Sequence, residues 1–157
     1  VVTSISGFEH LANEPVVILA DGNVVKDKIV SAAGVVTLTD GASRIHIGLK
    51  YITNIQTLDL EPPDGTIQGV PVSVSRVSLK LEDTRGLLFG PNKDQLFEMK
   101  QRENEAYGEP TALLTGNKEL TLDADWESDG RVYLRQRDPL PLTVLGITFD
   151  VAVGDAN

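Results

Sequence analysis

A run of β-branched residues broken by one Asp-Gly pair constrains this chain more than any other feature. Residues 16–25 read Val-Val-Ile-Leu-Ala-Asp-Gly-Asn-Val-Val. Asp-Gly between two such runs is a strong hairpin signal, because a tight primed turn needs positive φ and glycine adopts it without strain. Pro15 has no N–H to donate and favours a strand start. Residues 16–20 are continuously apolar rather than alternating, as expected of a strand buried on both faces. The stretch predicts a central strand that turns back on itself.

The rest of the chain repeats this logic. Residues 29–32 and 35–39 read as strands around an Ala33-Gly34 turn, and Asp40-Gly41 reads as the next turn. Ile45, Ile47 and Leu49 alternate with polar or small residues, which puts them on one face of a strand, and residues 51–61 read as its continuation. The apolar parity then flips, from odd at Ile55 to even at Leu58 and Leu60. The following segment flips as well, from even at Val70, Val72 and Val74 to odd at Val77, Leu79 and Leu81. A flip inside a strand predicts a bulge or a passage between sheets. Two flipped segments joined by Glu61-Pro62-Pro63-Asp64-Gly65 suggest a bent, paired hairpin at the corner of a sandwich or barrel.

Regularity fails from 91 to 117. The charged run 98–105 contains good helix formers, but Gly108, Pro110 and Gly116 follow it, so this stretch reads as an irregular excursion. Strands are expected again over 118–123, 131–135 and 145–153. The last places Leu145, Ile147, Phe149, Val151 and Val153 on one face. Asp138-Pro-Leu-Pro-Leu142 reads as a stiff extended link, since two prolines fix φ and remove two donors. The expectation is an all-β domain spanning 1–157, a β-sandwich or partly open barrel of bent antiparallel strands. It has nine or ten strands and at most one short helix.

Composition narrows function by exclusion. Aromatics make up only 5% of the chain, so Val, Ile and Leu must build the core. There is no cysteine, which removes disulfides, thiolate metal sites and Cys nucleophiles together. The net charge of −9 makes the chain a poor ligand for nucleic acid or an anionic membrane. No apolar run approaches the roughly 20 residues needed to cross a bilayer. The chain opens at Val1 without a methionine, which points to a piece of a longer protein.

Reactive constellations are weak. His46 sits between Ile45 and Ile47 on the polar side of a strand and reads as a surface histidine; His10 is the only other. Neither Gly-x-Ser-x-Gly nor His-Glu-x-x-His occurs. Asp123, Asp125, Glu127 and Asp129 place carboxylates at every second position, a spacing that can hold Ca²⁺ in a loop. The EF-hand pattern fails, with Ser128 sixth and Leu134 twelfth, and Asp129-Gly130 reads equally well as a hairpin turn. These four are weak metal candidates, and no metal or other cofactor is expected. Trp126, the only tryptophan, lies beside them and can either stack on a sugar ring or cap the core edge from a turn.

Several stretches taken in order carry a family resemblance. They are Gly7-Phe-Glu-His-Leu11, Val16-x-Ile-Leu-Ala-Asp-Gly22, Gly34-Val-Val-Thr-Leu38 and Ile47-Gly-Leu-Lys-Tyr51. Thr66-Ile-Gln-Gly69 and Arg76-Val-Ser-Leu-Lys-Leu81 follow, then Gly130-Arg-Val-Tyr-Leu-Arg-Gln136 and Asp138-Pro-Leu-Pro-Leu-Thr-Val-Leu145. Together they resemble the tail nozzle proteins of short-tailed phages, also called tail tubular protein B or packaged-DNA stabilisation proteins, and their prophage relatives. The similarity spans most of the chain outside about 92–115.

The resemblance implies a domain from the C-terminal part of a virion tail or head–tail protein, made in the bacterial cytoplasm and built into the phage tail. It implies no catalytic residues. Relatives form rings, commonly sixfold, at the tail end of the DNA channel. The implied partners are other copies of the parent protein and other tail or head–tail proteins, with DNA passing but not tightly bound. Acidic walls would suit that passage by repelling phosphate. An alternative is a glycan- or receptor-binding module of a phage tail, with Trp126, Tyr107 or Tyr133 exposed in a groove. A cell-wall or polysaccharide hydrolase would need paired carboxylates across a cleft, and the spacing nominates no pair.

Overall fold

The structure is a computed structural model that describes residues 1–60, 70–123 and 130–154. Its described residues are mostly strand, in several antiparallel sheets, none closed into a barrel. The only helical element among them is one 3-10 turn, Glu9–Leu11. The all-β expectation holds, in the form of stacked sheets. The chain divides into two compact units.

The first unit comprises Val1–Ile52, Arg102–Ala112 and Arg137–Pro139. Its strands are β1 (Val2–Ile5), β2 (Pro15–Ala20), β3 (Asn23–Ile29), β4 (Val36–Ala42) and β5 (Ile45–Leu49). β2 is central in a three-stranded sheet of order β3-β2-β5, and β1 pairs with β4 in a second sheet. The opening hairpin forms as expected. Ala20 pairs with Asn23, and Asp21 and Gly22 both take positive φ, 46° and 83°, as a primed turn requires. The Lys26-Asp27-Lys28 patch lies inside β3. The core gathers Val16, Ile18 and Ala20 from β2 with Val36, Leu38 and Ala42 from β4.

Asp40-Gly41 is not a turn. It lies within β4, opposite an irregular stretch of β1, and the chain reverses instead at Ser43-Arg44. The strand expected over 51–61 is also shorter. β5 ends at Leu49, and the chain leaves the first unit at Ile52 before strand resumes as β6 (Thr53–Gln56). The change of sheet therefore falls at residues 50–52, ahead of the parity flip that suggested it. Parity alone could not place it, because Tyr51 and Ile52 are 65% and 51% exposed and continue an apolar pattern without being buried.

The second unit comprises Thr53–Gln101, Leu113–Gln136 and Leu140–Asn157. Besides β6 it holds β7 (Val72–Thr84), β8 (Leu88–Gly90), β9 (Phe97–Glu98), β10 (Leu114–Thr121), β11 (Tyr133–Gln136) and β12 (Thr143–Val153). Two sheets, β10-β7-β12 and β6-β11-β8-β9, share one core. Val77, Leu79 and Leu81 come from the first sheet and Phe89 and Leu134 from the second. Full burial of a side chain such as Leu79 contributes roughly 1.5–3 kcal/mol.

The flip in β7 is a bulge, as its parity requires. Arg76 pairs with Asp150 and Val74 with Val151, which leaves Ser75 without a partner on β12. Its carbonyl accepts from the Leu122 N–H at 3.0 Å instead. Val74 and Val77 are thereby both buried despite opposite parity. Among the described residues the paired hairpin expected between the two flipped segments does not form, and its link, residues 61–65, lies outside them. β6 pairs with β11, and β7 pairs with β10 and β12. A second irregularity corrects the face assigned to Leu145. Val144 pairs with Leu81 and Gly146 with Lys80, so Leu145 is the extra residue; it is 55% exposed while Val144 packs on the core.

Within 91–117, β9 pairs with β8 and β10 begins at Leu114. Between them, Arg102–Ala112 belongs to the first unit.

Candidate functional site

In the first unit, two turns at one end of the β3-β2-β5 sheet are tied by one carboxylate. Asp21 Oδ1 accepts from the Arg44 N–H at 2.7 Å, and Oδ2 accepts from the Ser43 N–H at 2.9 Å. The Asp21 N–H donates to the Arg44 carbonyl at 2.8 Å. Those backbone hydrogen bonds, Ser43 first, hold the Asp21 carboxyl below the usual carboxylate range.

The Arg102–Ala112 segment is braced in the same way. The Glu105 carboxylate accepts from the N–H groups of Ala112 at 3.0 Å and Glu103 at 2.9 Å. Led by the Ala112 bond, these interactions lower its pKa to about 2. The Arg102 guanidinium donates to the Ala106 carbonyl at 2.9 Å. The Asn23 side-chain amide donates to the Gly108 carbonyl at 2.9 Å, which pins the segment to the first hairpin. Pro110 packs so close to Gly22 that a Cβ there would lie 3.0 Å from it.

Segment, hairpin and second turn together enclose an open depression of about 660 Å³. Leu19 and Pro110 give it apolar surface; Asp21, Ser43, Arg44 and His46 give it polar groups. That volume lies within the ordinary range for small-molecule sites. The set can hydrogen-bond a polar ligand, whereas Asp21, already committed to two N–H groups and held ionised, is poorly suited to moving protons.

No protein-family model matches this chain, and no curated protein matches it.

The expected site residues are distributed as follows. Tyr107, on the braced segment, is fully exposed. Tyr133 is half-buried on β11, with the Arg135 guanidinium 5.4 Å from its ring centroid. His46 and His10 are both exposed; His10 lies beside Phe8, ring centroids 6.3 Å apart. Asp123 is exposed, and Asp125, Trp126, Glu127 and Asp129 lie outside the described residues. Among the described residues no group of three His, Asp or Glu side chains is placed to share a metal ion. None of their helices is long and apolar enough to cross a membrane.

The roles of two residues that matter here were not read from sequence. Asp21 had a signal, since Asp in a turn readily caps nearby N–H groups, but its partners Ser43 and Arg44 are far along the chain. Glu105 sat in a charge run whose solvated appearance hides a brace closed over seven residues.

Proposed function

We propose that this chain is a non-catalytic structural domain of a tailed-phage or prophage tail or head–tail protein, contributing to tail assembly and the DNA channel. The observation that carries the reading is the use of its perturbed carboxylates. Asp21 and Glu105 are taken up by backbone N–H groups and Asp59 by the Arg131 guanidinium, so they fix local structure rather than face a substrate. The ordered motifs of the tail nozzle resemblance support the same reading.

Exposed apolar surface supports it further. In the first unit Ile29 pairs with Pro15 and Leu49 with Val16, so both lie at one end of the sheet, and Tyr51 and Ile52 follow directly in the chain. All four are at least half exposed. Exposed apolar side chains such as these are available to a protein partner, here another copy of the parent protein or a neighbouring tail protein. The test is antibody labelling of purified particles viewed by electron microscopy. The reading expects label at the tail; label confined to free protein in the lysate contradicts it.

A second reading, a glycan-binding module on the same kind of tail, is favoured by Tyr107. A fully exposed aromatic on a braced segment that also borders the depression is arranged to stack on a sugar ring. Glycan-array hits that vanish in Tyr107→Ala would support it, and an array without hits would dismiss it.

A further inference from the structure

β12 is an edge of its sheet, and among the described residues only β7 pairs with it. It is eleven residues long, and its only charged residue is Asp150. Bare edges template further pairing, and proteins usually blunt them with charge, short length or bulges. Three other edges follow that rule. β3 carries Lys26, Asp27 and Lys28; β10 carries Lys118 and Glu119; β5 has only five residues. β12 departs from it in length and in charge, although its ladder with β7 is irregular at Leu145 and again between Asp150 and Val151.

The sequence of β12 is also complementary to itself. Antiparallel pairing of two copies about Phe149 sets Leu145 of each opposite Val153 of the other, and Asp150 opposite Thr148. Leu145 and Val153 are 55% and 51% exposed, so the pairing covers the two large apolar side chains that β12 leaves open. No like charges face each other, and a carboxylate meets a hydroxyl. From this we infer that β12 is a self-association edge, joining the β10-β7-β12 sheets of two copies of this chain into one continuous sheet. The inference goes beyond the structural role proposed above and does not depend on it.

The chain has no cysteine, so paired cysteines report the register directly. Positions 145 and 153 lie eight residues apart on an extended strand, roughly 26 Å, which excludes a disulfide within one copy. Sedimentation of the 157-residue chain at micromolar concentration should show a dimer. Oxidised L145C/V153C should give a covalent dimer, whereas L145C or V153C alone should not. L145K/V153K sets lysine opposite lysine twice and should yield monomer; L145E/V153K sets opposite charges together and should restore the dimer. Circular dichroism checks that each variant is folded. A monomeric wild-type chain, a cross-link through L145C alone, or a dimer that survives L145K/V153K would overturn the inference.

Discussion

Asp21 and Arg44, more than twenty residues apart, are joined twice: the Arg44 N–H donates to Asp21 Oδ1 at 2.7 Å, and the Asp21 N–H donates to the Arg44 carbonyl at 2.8 Å. Through this pair one carboxylate holds two turns in place, and residues of both turns line the open depression.

The Asp21 carboxyl is held below its ordinary value of 3.8 by hydrogen bonds from Ser43 and Arg44. A carboxylate with a depressed folded pKa adds stability above its unfolded value and loses that stability as pH falls through the folded one. Asp21→Asn should therefore melt at a lower temperature than wild type at neutral pH. The gap should narrow as the pH drops below about 4. A gap that stays constant with pH would contradict the capping role; melting scans from acid to neutral pH check it.

Glu105, with a pKa of about 2 against an ordinary 4.5, should titrate well below the usual glutamate range in a side-chain NMR titration. Its brace is present above the unfolded value and is lost as pH falls towards 2. Glu105→Gln should raise amide exchange at Ala112 and Glu103 while leaving β2 and β7 protected. Unchanged exchange at Ala112 would show that the segment holds its shape without the carboxylate.

Thr84, fully buried at the end of β7, accepts from the Thr143 N–H at 2.9 Å and lies within donating distance of the Glu82 and Thr143 carbonyls. Thr84→Val keeps the shape but takes the acceptor from that part-buried N–H, a loss of about 0.5–1.5 kcal/mol. Denaturant unfolding measures it, and a neutral result would mean the N–H finds another acceptor.

Burial separates two leucines that the sequence treats alike. Leu79 is fully buried and Leu58 is 86% exposed. Leu79→Ala should cost about 2–5 kcal/mol, and Leu58→Ala should stay within about 0.5 kcal/mol. Comparable losses at both sites would contradict the packing described.

These leucines also show how far the sequence could be read. Period two identified the strands and the all-β class, and the break between Val74 and Val77 located a real bulge, because parity is a local property of the strand. Pairing is not local. Nothing in residues 45–81 announces that β6 pairs with β11, nearly eighty residues on, or that Asp40-Gly41 lies opposite β1 rather than closing a hairpin. The depression was hidden for the same reason: Leu19, Arg44 and Pro110 come from three separate stretches. Exposure of Tyr107 was only a condition of one functional reading until the Glu105 brace gave it a fixed support.

The central claim is that this chain acts through its surfaces as part of a phage tail. Quantitative mass spectrometry of phage particles purified from cells that carry the gene tests this most directly. The account expects its peptides in the particles at a fixed ratio to those of the portal. Peptides abundant in the lysate and missing from the particles would contradict it.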